Sequence, residues 1–310
     1  MTTQIGALPR STARPATAVA GGQRRLPLRR QLLLQIVCIF IAATVLFPVL
    51  WIVSMSIDPR NIARPDGLTL IPPGASLAAF DQVIKQPTPN PVSFLRLAAN
   101  SLFIAAIICV ASVGVGVLAA YAFSRMRFRG RETLMIGVLA VLMLPAVATL
   151  APLYVMLSKF QFGAFNLRDS LFGVALAVTS GTLPFAIWNM KGYIDTIPRD
   201  LEEAAAVDGA SKFQTFWRVI LPLSTPVLAV TAFFGFTAGW TEFYFSWQFL
   251  DHSQDFTLAM ALNGMVGGYG GTPWSQFSAF AILVALPVAG VYLFLQKYIV
   301  SGLTIGGVKG

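Results

Sequence analysis

Charged residues, cysteines and histidines are all scarce in this sequence of 310 residues. Only 11% of the residues are charged, against about 25% in soluble domains, while 56% are aliphatic, aromatic or cysteine. A single soluble core cannot bury so much apolar surface, because such cores stop growing at about 250–300 residues. The composition therefore excludes an ordinary soluble domain and a disordered chain, and it indicates an integral membrane protein.

Few residues are available for metal or nucleotide chemistry. The two cysteines, Cys38 and Cys109, lie in long apolar stretches, and two cysteines do not make a disulfide framework. His252 is the only histidine, so the chain cannot build a Cys/His metal cluster. A G-x-x-x-x-G-K-[ST] phosphate-binding loop is also absent from the sequence. We therefore expect no metal, no cofactor and no ATPase site on this chain.

Six apolar stretches are long enough to cross a bilayer, which takes about 20 residues. They lie at roughly 31–57, 99–123, 133–157, 170–190, 222–246 and 276–296. Prolines inside them are tolerable where neighbouring helices satisfy the freed backbone groups. Gly114 and Gly116, in the second stretch, would let another helix approach closely. The sequence predicts an all-α membrane protein whose six transmembrane helices form one domain over residues 31–298.

The basic residues are distributed unevenly between the two sides that six spans define. Sixteen of the 22 lysines and arginines precede the first span, follow the second, fourth or sixth, and thus share one side. Because basic segments remain in the cytoplasm, both termini are predicted to be cytoplasmic. The net charge of +9 therefore reflects membrane topology, and nucleic-acid binding is not expected.

Three segments outside the spans are predicted. Residues 1–30 should form a disordered cytoplasmic tail, residues 58–98 an external loop with short helices, and residues 299–310 a cytoplasmic C-terminal tail. A cleaved signal peptide is the competing interpretation of the N-terminal region. The apolar run over residues 32–57 is too long for a signal peptide, so a retained first span is favoured.

The most informative segment lies between the fourth and fifth spans, at residues 193–222. Three acidic residues at 200–203 suit the first turn of a helix, where the helix dipole favours negative charge. Asp208 and Gly209 should end this helix, because glycine tolerates a positive φ, and Ser211 can cap a second short helix. The pattern predicts a helix–turn–helix knob on the cytoplasmic face. A segment lying on lipid headgroups is the alternative, but anionic lipid would repel its acidic half, and a groove on a protein partner fits better.

This segment resembles the E-A-A, three residues, G, nine residues, I, any residue, L-P loop of the membrane subunits of bacterial ATP-binding-cassette (ABC) importers. Every fixed position matches except the isoleucine, which is Val219 here. In that family the loop is a coupling helix that docks into a groove of the cytoplasmic ATPase. The resemblance therefore implies ATPase contacts for Glu203, Ala204, Ala205, Asp208, Gly209, Leu221 and Pro222.

The end of the sequence, residues 302–310, looks like the C-terminal tail of MalG-type permeases from carbohydrate importers, where the tail reaches the ATPase interface. The resemblance implies such contacts for Gly306, Gly307 and Lys309, whereas a frayed terminus is the alternative. Taken together, the similarities cover about residues 33–310 and imply the type I importer fold. In such a machine the chain would be one of two permease subunits, beside two ATP-binding subunits that hold ATP and Mg, and an extracytoplasmic sugar-binding protein.

The same resemblance implies a bacterial inner membrane and an oligosaccharide of the α-glucoside kind, such as maltose, maltodextrin or trehalose. Another sugar or glycerol phosphate in the same machinery is the first alternative. A secondary carrier is a further one, in which Glu242, the only acid well inside a predicted span, would be an ion site. A membrane scaffold without transport is the last.

Two further regions are candidates for contacts during transport. Trp240, Glu242 and Tyr244 could line the substrate path, although the aromatic residues suit the interfacial belt of a membrane protein equally, and Glu242 could be hydrogen-bonded within the structure. The glycine-rich segment before the sixth span should be mobile, and in maltose-type relatives the corresponding loop enters the sugar-binding protein. The resemblance implies that role for Gly267, Gly268, Tyr269, Gly270 and Gly271, and a plain connector is the alternative.

Overall fold

The computed structural model describes residues 27–62, 69–163, 165–267 and 271–306, with side chains described as far as residue 299. Along the chain two compact units are distinguished, Met1–Pro48 and Val49–Gly310. In the first unit the described part is helical from Leu28, and most of the predicted N-terminal tail lies outside the described residues.

The described chain is almost entirely helical. In chain order the helices are α1 (Leu28–Ser56), α2 (Ala78–Lys85), α3 (Phe94–Arg125), α4 (Arg131–Leu142), α5 (Ala146–Ser158), α6 (Leu171–Thr196), α7 (Asp200–Val207), α8 (Lys212–Thr215), α9 (Leu221–Leu223), α10 (Thr225–Trp240), α11 (Tyr244–Phe249), α12 (Leu258–Gly264) and α13 (Trp274–Gly306). A π-helical turn, Phe216–Ile220, joins α8 to α9. One small exception to the all-α prediction is an antiparallel pair of two-residue strands, β1 (Gln161–Phe162) and β2 (Phe165–Asn166).

Four described helices are long and apolar enough to cross a membrane by themselves: α1, α3, α6 and α13 as far as Ile299. Two more spans result if each of two bent pairs is counted once. These pairs are α4 with α5, bent by 103°, and the run Lys212–Leu223 with Thr225–Phe249, bent by 74°. With each bent pair counted as one span, the described residues contain six candidate spans, the number that the sequence predicts.

The third predicted span is not a straight helix over residues 133–157. It breaks between Leu142 and Ala146, and Pro145 stands at the break with extended backbone, φ −66° and ψ 132°. Proline has no backbone N–H, and its ring disfavours helical geometry at the residue before it. Pro152 is tolerated inside α5, as expected for prolines in the spans, but Pro145 ends one helix and begins the next.

The fifth predicted span, residues 222–246, is not one continuous helix. Its helix, α10, begins at Thr225 after the bend and stops at Trp240. Pro222 therefore does not open the span but lies in α9, before the bend. Ser224, at the bend, has φ −85° and ψ 0°.

Two other boundaries differ from the predicted ones. Helix α3 begins at Phe94, so the last residues of the predicted external loop are helical. Helix α13 continues to Gly306, past residue 298, where the sequence placed the end of the domain. The first part of the predicted C-terminal tail is thus a continuation of the last helix.

The core of the second unit forms where α3 packs against α6 and α10. Glycines on α10 allow this approach: a Cβ added to Gly239 would lie 2.4 Å from the Cα of Ala105 in α3. Further along α3, a Cβ on Gly116 would lie 3.3 Å from the Cβ of Ala186 in α6, whereas Gly114 has no neighbour within 4 Å. The expected close approach is therefore confirmed for Gly116 but not for Gly114. Small residues serve in this way where helices pack in membranes.

The segment after α1 is hydrogen-bonded to the start of α13. The carboxylate of Asp58 accepts hydrogen bonds from the backbone N–H, Nε and Nη2 of Arg60 at 3.0, 3.0 and 2.8 Å. Ser275 donates its hydroxyl to the carbonyl oxygen of Asp58 at 2.5 Å and its backbone N–H to Oδ1 of Asn61 at 2.9 Å. Asp58 is 4% exposed, so a buried carboxylate holds this turn.

Candidate functional site

The predicted helix–turn–helix knob is present between α6 and α10. Helix α7 has Asp200, Glu202 and Glu203 in its first turn. It ends at Val207, and Gly209, two residues further on, has φ 83°. Two hydrogen bonds close the end: Gly209 N–H to the carbonyl oxygen of Ala206 at 3.1 Å, and Ala210 N–H to that of Ala205 at 2.9 Å. This pair is the Schellman arrangement, which a residue with positive φ makes possible.

The second helix of the knob is capped as the sequence predicts. The hydroxyl of Ser211 accepts the N–H of Gln214 at 3.3 Å, and Oε1 of Gln214 accepts the N–H of Ser211 at 2.8 Å. This reciprocal arrangement is a capping box. Ser211 is the predicted cap, whereas Gln214 was not predicted, although the S-x-x-Q spacing would have revealed it.

The outer face of the knob carries most of the motif residues. Glu203, Ala204, Asp208, Gly209 and Pro222 are exposed, while Ala205 and Leu221 are partly buried. Large apolar side chains accompany them on the same segment and are exposed as follows: Leu201 43%, Val207 87%, Phe213 71% and Trp217 49%. An apolar surface next to exposed acids is typical of a protein-docking site.

Trp240 and Glu242, which the sequence offers as substrate contacts, are buried in the structure. Trp240 is 4% exposed, and its indole Nε1–H donates to the carbonyl oxygen of Val284 in α13 at 2.9 Å. Glu242 is 7% exposed. Its carboxylate accepts the N–H of Phe245 at 2.8 Å, and the N–H and hydroxyl of Ser246 at 2.9 and 2.5 Å. Glu242 therefore satisfies the free N–H groups at the start of α11. Of the three candidates for the substrate path, Tyr244 is the exposed one, at 45%.

A cavity that the sequence did not predict lies between α3, α6 and α10. It has a volume of about 260 Å³, and its lining includes Ser112, Thr182 and Thr231, each near the middle of its helix. Ser112 and Thr182 hydroxyls are 3.2 Å apart, and the buried hydroxyl of Thr231 has no hydrogen-bond partner among the described residues. Phe185 and Phe234 also line it, with ring centroids 5.8 Å apart. Hydroxyls and aromatic faces in one concave site can bind a small polar ligand such as a sugar ring. Hydroxyl residues in the middle of predicted spans are the signal that could have drawn attention to it.

The glycine-rich segment and the tail are described only in part. Gly267 and Gly271 have φ 77° and 80°, and the N–H of Gly267 donates to Oγ1 of Thr272 at 3.2 Å. Gly268, Tyr269 and Gly270 lie outside the described residues. Gly306 is the last residue of α13, and Gly307 and Lys309 also lie outside.

Within the described residues, no group of three or more His, Cys, Asp or Glu side chains is placed to hold a metal ion. Cys38 and Cys109 are not joined by a disulfide.

Solved structures with the same fold are ABC importers. A bacterial ABC transporter involved in the import of the acidic polysaccharide alginate matches 87% of this chain and 96% of that chain, with TM-score 0.72 and 23% identity. The MetNI methionine ABC transporter matches 73% of this chain and 99% of that chain, with TM-score 0.53 and 17% identity. The fold is therefore that of type I importer permeases.

Curated relatives are closer in sequence. The maltose/maltodextrin transport system permease protein MalG of Yersinia pestis is 36% identical over 86% of this chain and 90% of its own length. The trehalose/maltose transport system permease protein MalG of Thermococcus litoralis is 34% identical over 91% of this chain and 98% of its own length. Residues 112–305 match the family described as the binding-protein-dependent transport system inner membrane component. This chain therefore belongs to the family of inner membrane components of binding-protein-dependent transport systems.

Proposed function

We propose that this chain is the transmembrane permease subunit of an ATP-driven importer of α-glucoside oligosaccharides, such as maltose, maltodextrin or trehalose. The observation that carries the proposal is the outer face of the knob, where Glu203, Ala204 and Gly209 stand exposed at the motif positions beside apolar side chains. The substrate class is supported by the 34% and 36% identity to permeases named for trehalose and maltose transport.

The proposed assembly contains a second permease, two ATP-binding subunits and an extracytoplasmic sugar-binding protein. ATP and Mg belong to the ATP-binding subunits, and this chain performs no hydrolysis. It lies in a bacterial inner membrane with both termini in the cytoplasm, so the knob faces the ATP-binding subunits. Because the knob is a compact, doubly capped unit, closure of those subunits would displace α7 as one body. The permeases would then shift from an inward-open to an outward-open population.

Further contacts are proposed at three places. The glycine-rich segment, Gly267 to Gly271, faces the sugar-binding protein, and the residues from Gly306 to Lys309 reach the ATPase interface. The sugar passes the cavity of Ser112, Thr182 and Thr231, while Trp240 and Glu242 support the path from buried positions. The hydrogen bonds that the Glu242 carboxylate accepts from the start of α11 argue against an ion site and hence against a secondary carrier.

The proposal is tested by purification of the tagged chain from membranes in mild detergent. Wild type is expected to retain an ATP-binding subunit and a second permease, and ATP hydrolysis in the eluate should rise with the cognate sugar and its binding protein. Glu203→Lys and Gly209→Asp should insert normally but lose coupling between hydrolysis and uptake. If wild type retains no ATPase, or if Glu203→Lys transports normally, the coupling role is contradicted.

A further inference from the structure

The first turn of α7 is joined to α3 by an ion pair that involves Glu202, the neighbour of the exposed motif residue Glu203. Nε of Arg125, the last residue of α3, donates to Oε1 of Glu202. The two side chains are 7% and 18% exposed. The same guanidinium donates to the carbonyl oxygens of Ile194 and Ile197 at 3.0 and 2.7 Å. One side chain thus connects the end of α3, the end of α6 and the first turn of α7.

A second set of contacts holds the arginine in place. Nη1 of Arg125 lies 3.2 Å from the hydroxyl of Ser124, which donates to Oδ1 of Asp195 at 2.5 Å. Nζ of Lys191 donates to Oδ2 of Asp195 at 2.6 Å. The hydroxyl of Tyr121 lies 3.5 Å from Oε2 of Glu202. All of these groups lie on α3, α6 or α7, so the three elements share one polar network.

The chemistry of arginine explains why this residue can hold three elements at once. Its planar guanidinium presents five N–H donors in a fixed fork, whereas a lysine ammonium is a point charge on a flexible stem. The last carbonyl groups of a helix lack their usual partners within the helix. Arg125 donates to the carbonyl of Ile197, the residue that follows α6, and adds a second donor to the carbonyl of Ile194, which already accepts the N–H of Ile197 at 3.1 Å. Burial of two charges gives little net stability, because desolvation offsets their attraction. The pair is therefore better explained by the geometry that it imposes than by stability.

We propose that Arg125 is the positioning residue that makes α7 move together with α3 and α6. The inference rests on the proposed function, because it assigns the route by which a displacement of the knob reaches the transmembrane helices. The backbone between α6 and α7 is only three residues long, Ile197 to Arg199, and is not helical. Without the ion pair, this short connection would act as a hinge and absorb the displacement. The outer face of α7 would still bind its partner, but the transmembrane helices would not follow.

The first test compares Glu202→Gln with Asp200→Asn in the purified complex. Both substitutions remove one carboxylate charge from the same turn of α7, and Asp200 is exposed. Glu202→Gln should retain the ATP-binding subunit but lower the sugar transported per ATP hydrolysed by at least about fivefold, the lower end of typical coupling between two sites. Asp200→Asn should behave as wild type. Wild-type uptake per ATP in Glu202→Gln would overturn the proposal.

The second test needs no partner and therefore separates the two proposals. A spin label is attached at Val207→Cys, which is 87% exposed in wild type, in the full chain with Cys38→Ser and Cys109→Ser, reconstituted in lipid nanodiscs. The label should become more mobile in Glu202→Gln and in Arg125→Lys, and stay as in wild type in Asp200→Asn. If the label is equally mobile in all four proteins, Arg125 does not hold α7. If wild type fails to retain an ATPase while the label responds as expected, the positioning by Arg125 stands and the proposed function falls.

Discussion

Gly239 of α10 and Ala105 of α3 are so close that a Cβ on the glycine would lie 2.4 Å from the Cα of the alanine and 2.7 Å from its nitrogen. The obstacle is backbone, so a side chain at Gly239 cannot be accommodated by a rotamer change. The two helices would have to separate along a contact that also includes Gly235 and Cys109. This approach brings together α3 and α10, two of the three helices that line the cavity of Ser112, Thr182 and Thr231.

Substitution of Gly239 should therefore destabilise the bundle. Gly239→Ala is expected to lower the free energy of unfolding by about 1–3 kcal/mol, as overpacking does elsewhere, and Gly239→Val by more. The matched control is Gly114→Ala, because nothing lies within 4 Å of a Cβ there. Thermal unfolding in detergent measures both variants. Equal unfolding temperatures for Gly239→Ala and Gly114→Ala would contradict the close packing of Gly239 against Ala105.

The stability cost of a substitution at Gly209 should depend on how readily the new residue adopts a positive φ, and not on the size of its side chain. Its φ is 83°, and a Cβ there would meet no atom within 4 Å. Gly209→Ala should cost about 1–2 kcal/mol, because a left-handed conformation is unfavourable for a residue with a Cβ. Gly209→Asn should cost less, since asparagine visits this region more readily. Unfolding temperatures measure this effect, and they should be highest for glycine, lower for asparagine and lowest for alanine. An alanine variant as stable as wild type would show that the backbone at residue 209 is not strained.

Local signals in the sequence were sufficient to predict the knob, whereas long-range contacts were not accessible. The break at Asp208-Gly209 and the cap at Ser211 each depend on residues within a few positions. By contrast, Arg125 and Glu202 are 77 residues apart, and no periodicity relates them. The bend at Pro145 was missed for a different reason: a proline in an apolar stretch is compatible with a kinked span or with a full break. Only the packing of the flanking helices distinguishes the two.

Glu242 should matter for stability because its carboxylate holds the first turn of α11. Glu242→Gln retains the shape but loses the charge that strengthens the three hydrogen bonds from Phe245 and Ser246. Hydrogen bonds to a charged group contribute about 1.5–3 kcal/mol, and we expect a loss of that order in the free energy of unfolding. Glu132→Gln, at an exposed position in the first turn of α4, is the control and should cost less than about 1 kcal/mol, the contribution of the helix dipole. An unchanged unfolding temperature for Glu242→Gln would show that the capping is dispensable.

The lowered pKa of Asp58 predicts that the protein loses stability in acid. The side-chain hydrogen bond from Arg60 lowers the pKa of this carboxyl below its ordinary value, and the backbone N–H of Arg60 adds to the effect, against the opposing effect of burial. A group with a lowered pKa in the folded state stabilises the fold fully above its unfolded pKa, about 3.9 for aspartate. That contribution is lost as the pH falls through the folded pKa.

The unfolding temperature of wild type in detergent should therefore fall more steeply below about pH 4 than that of Asp58→Asn. At neutral pH the variant should be the less stable protein, because it lacks the charged partner of Arg60. Asp81→Asn is the control, since the side chain of Asp81 is 66% exposed in its pair with Lys85. Parallel acid profiles for wild type and Asp58→Asn would contradict this role.

The cavity of Ser112, Thr182 and Thr231 should determine the apparent affinity for the sugar, whereas Trp240 should determine the stability of the fold. Thr231→Val keeps the shape of a side chain whose hydroxyl has no partner among the described residues. Removal of one hydrogen bond to the passing sugar, about 0.5–1.5 kcal/mol, should raise the apparent KM for uptake by about two- to tenfold. Trp240→Phe removes the indole donor to Val284 and should lower the unfolding temperature with KM unchanged. Uptake assays across sugar concentrations in matched membranes measure both variants. If Thr231→Val leaves KM unchanged while Trp240→Phe raises it, the path lies at Trp240, and the cavity between α3, α6 and α10 has only a packing role.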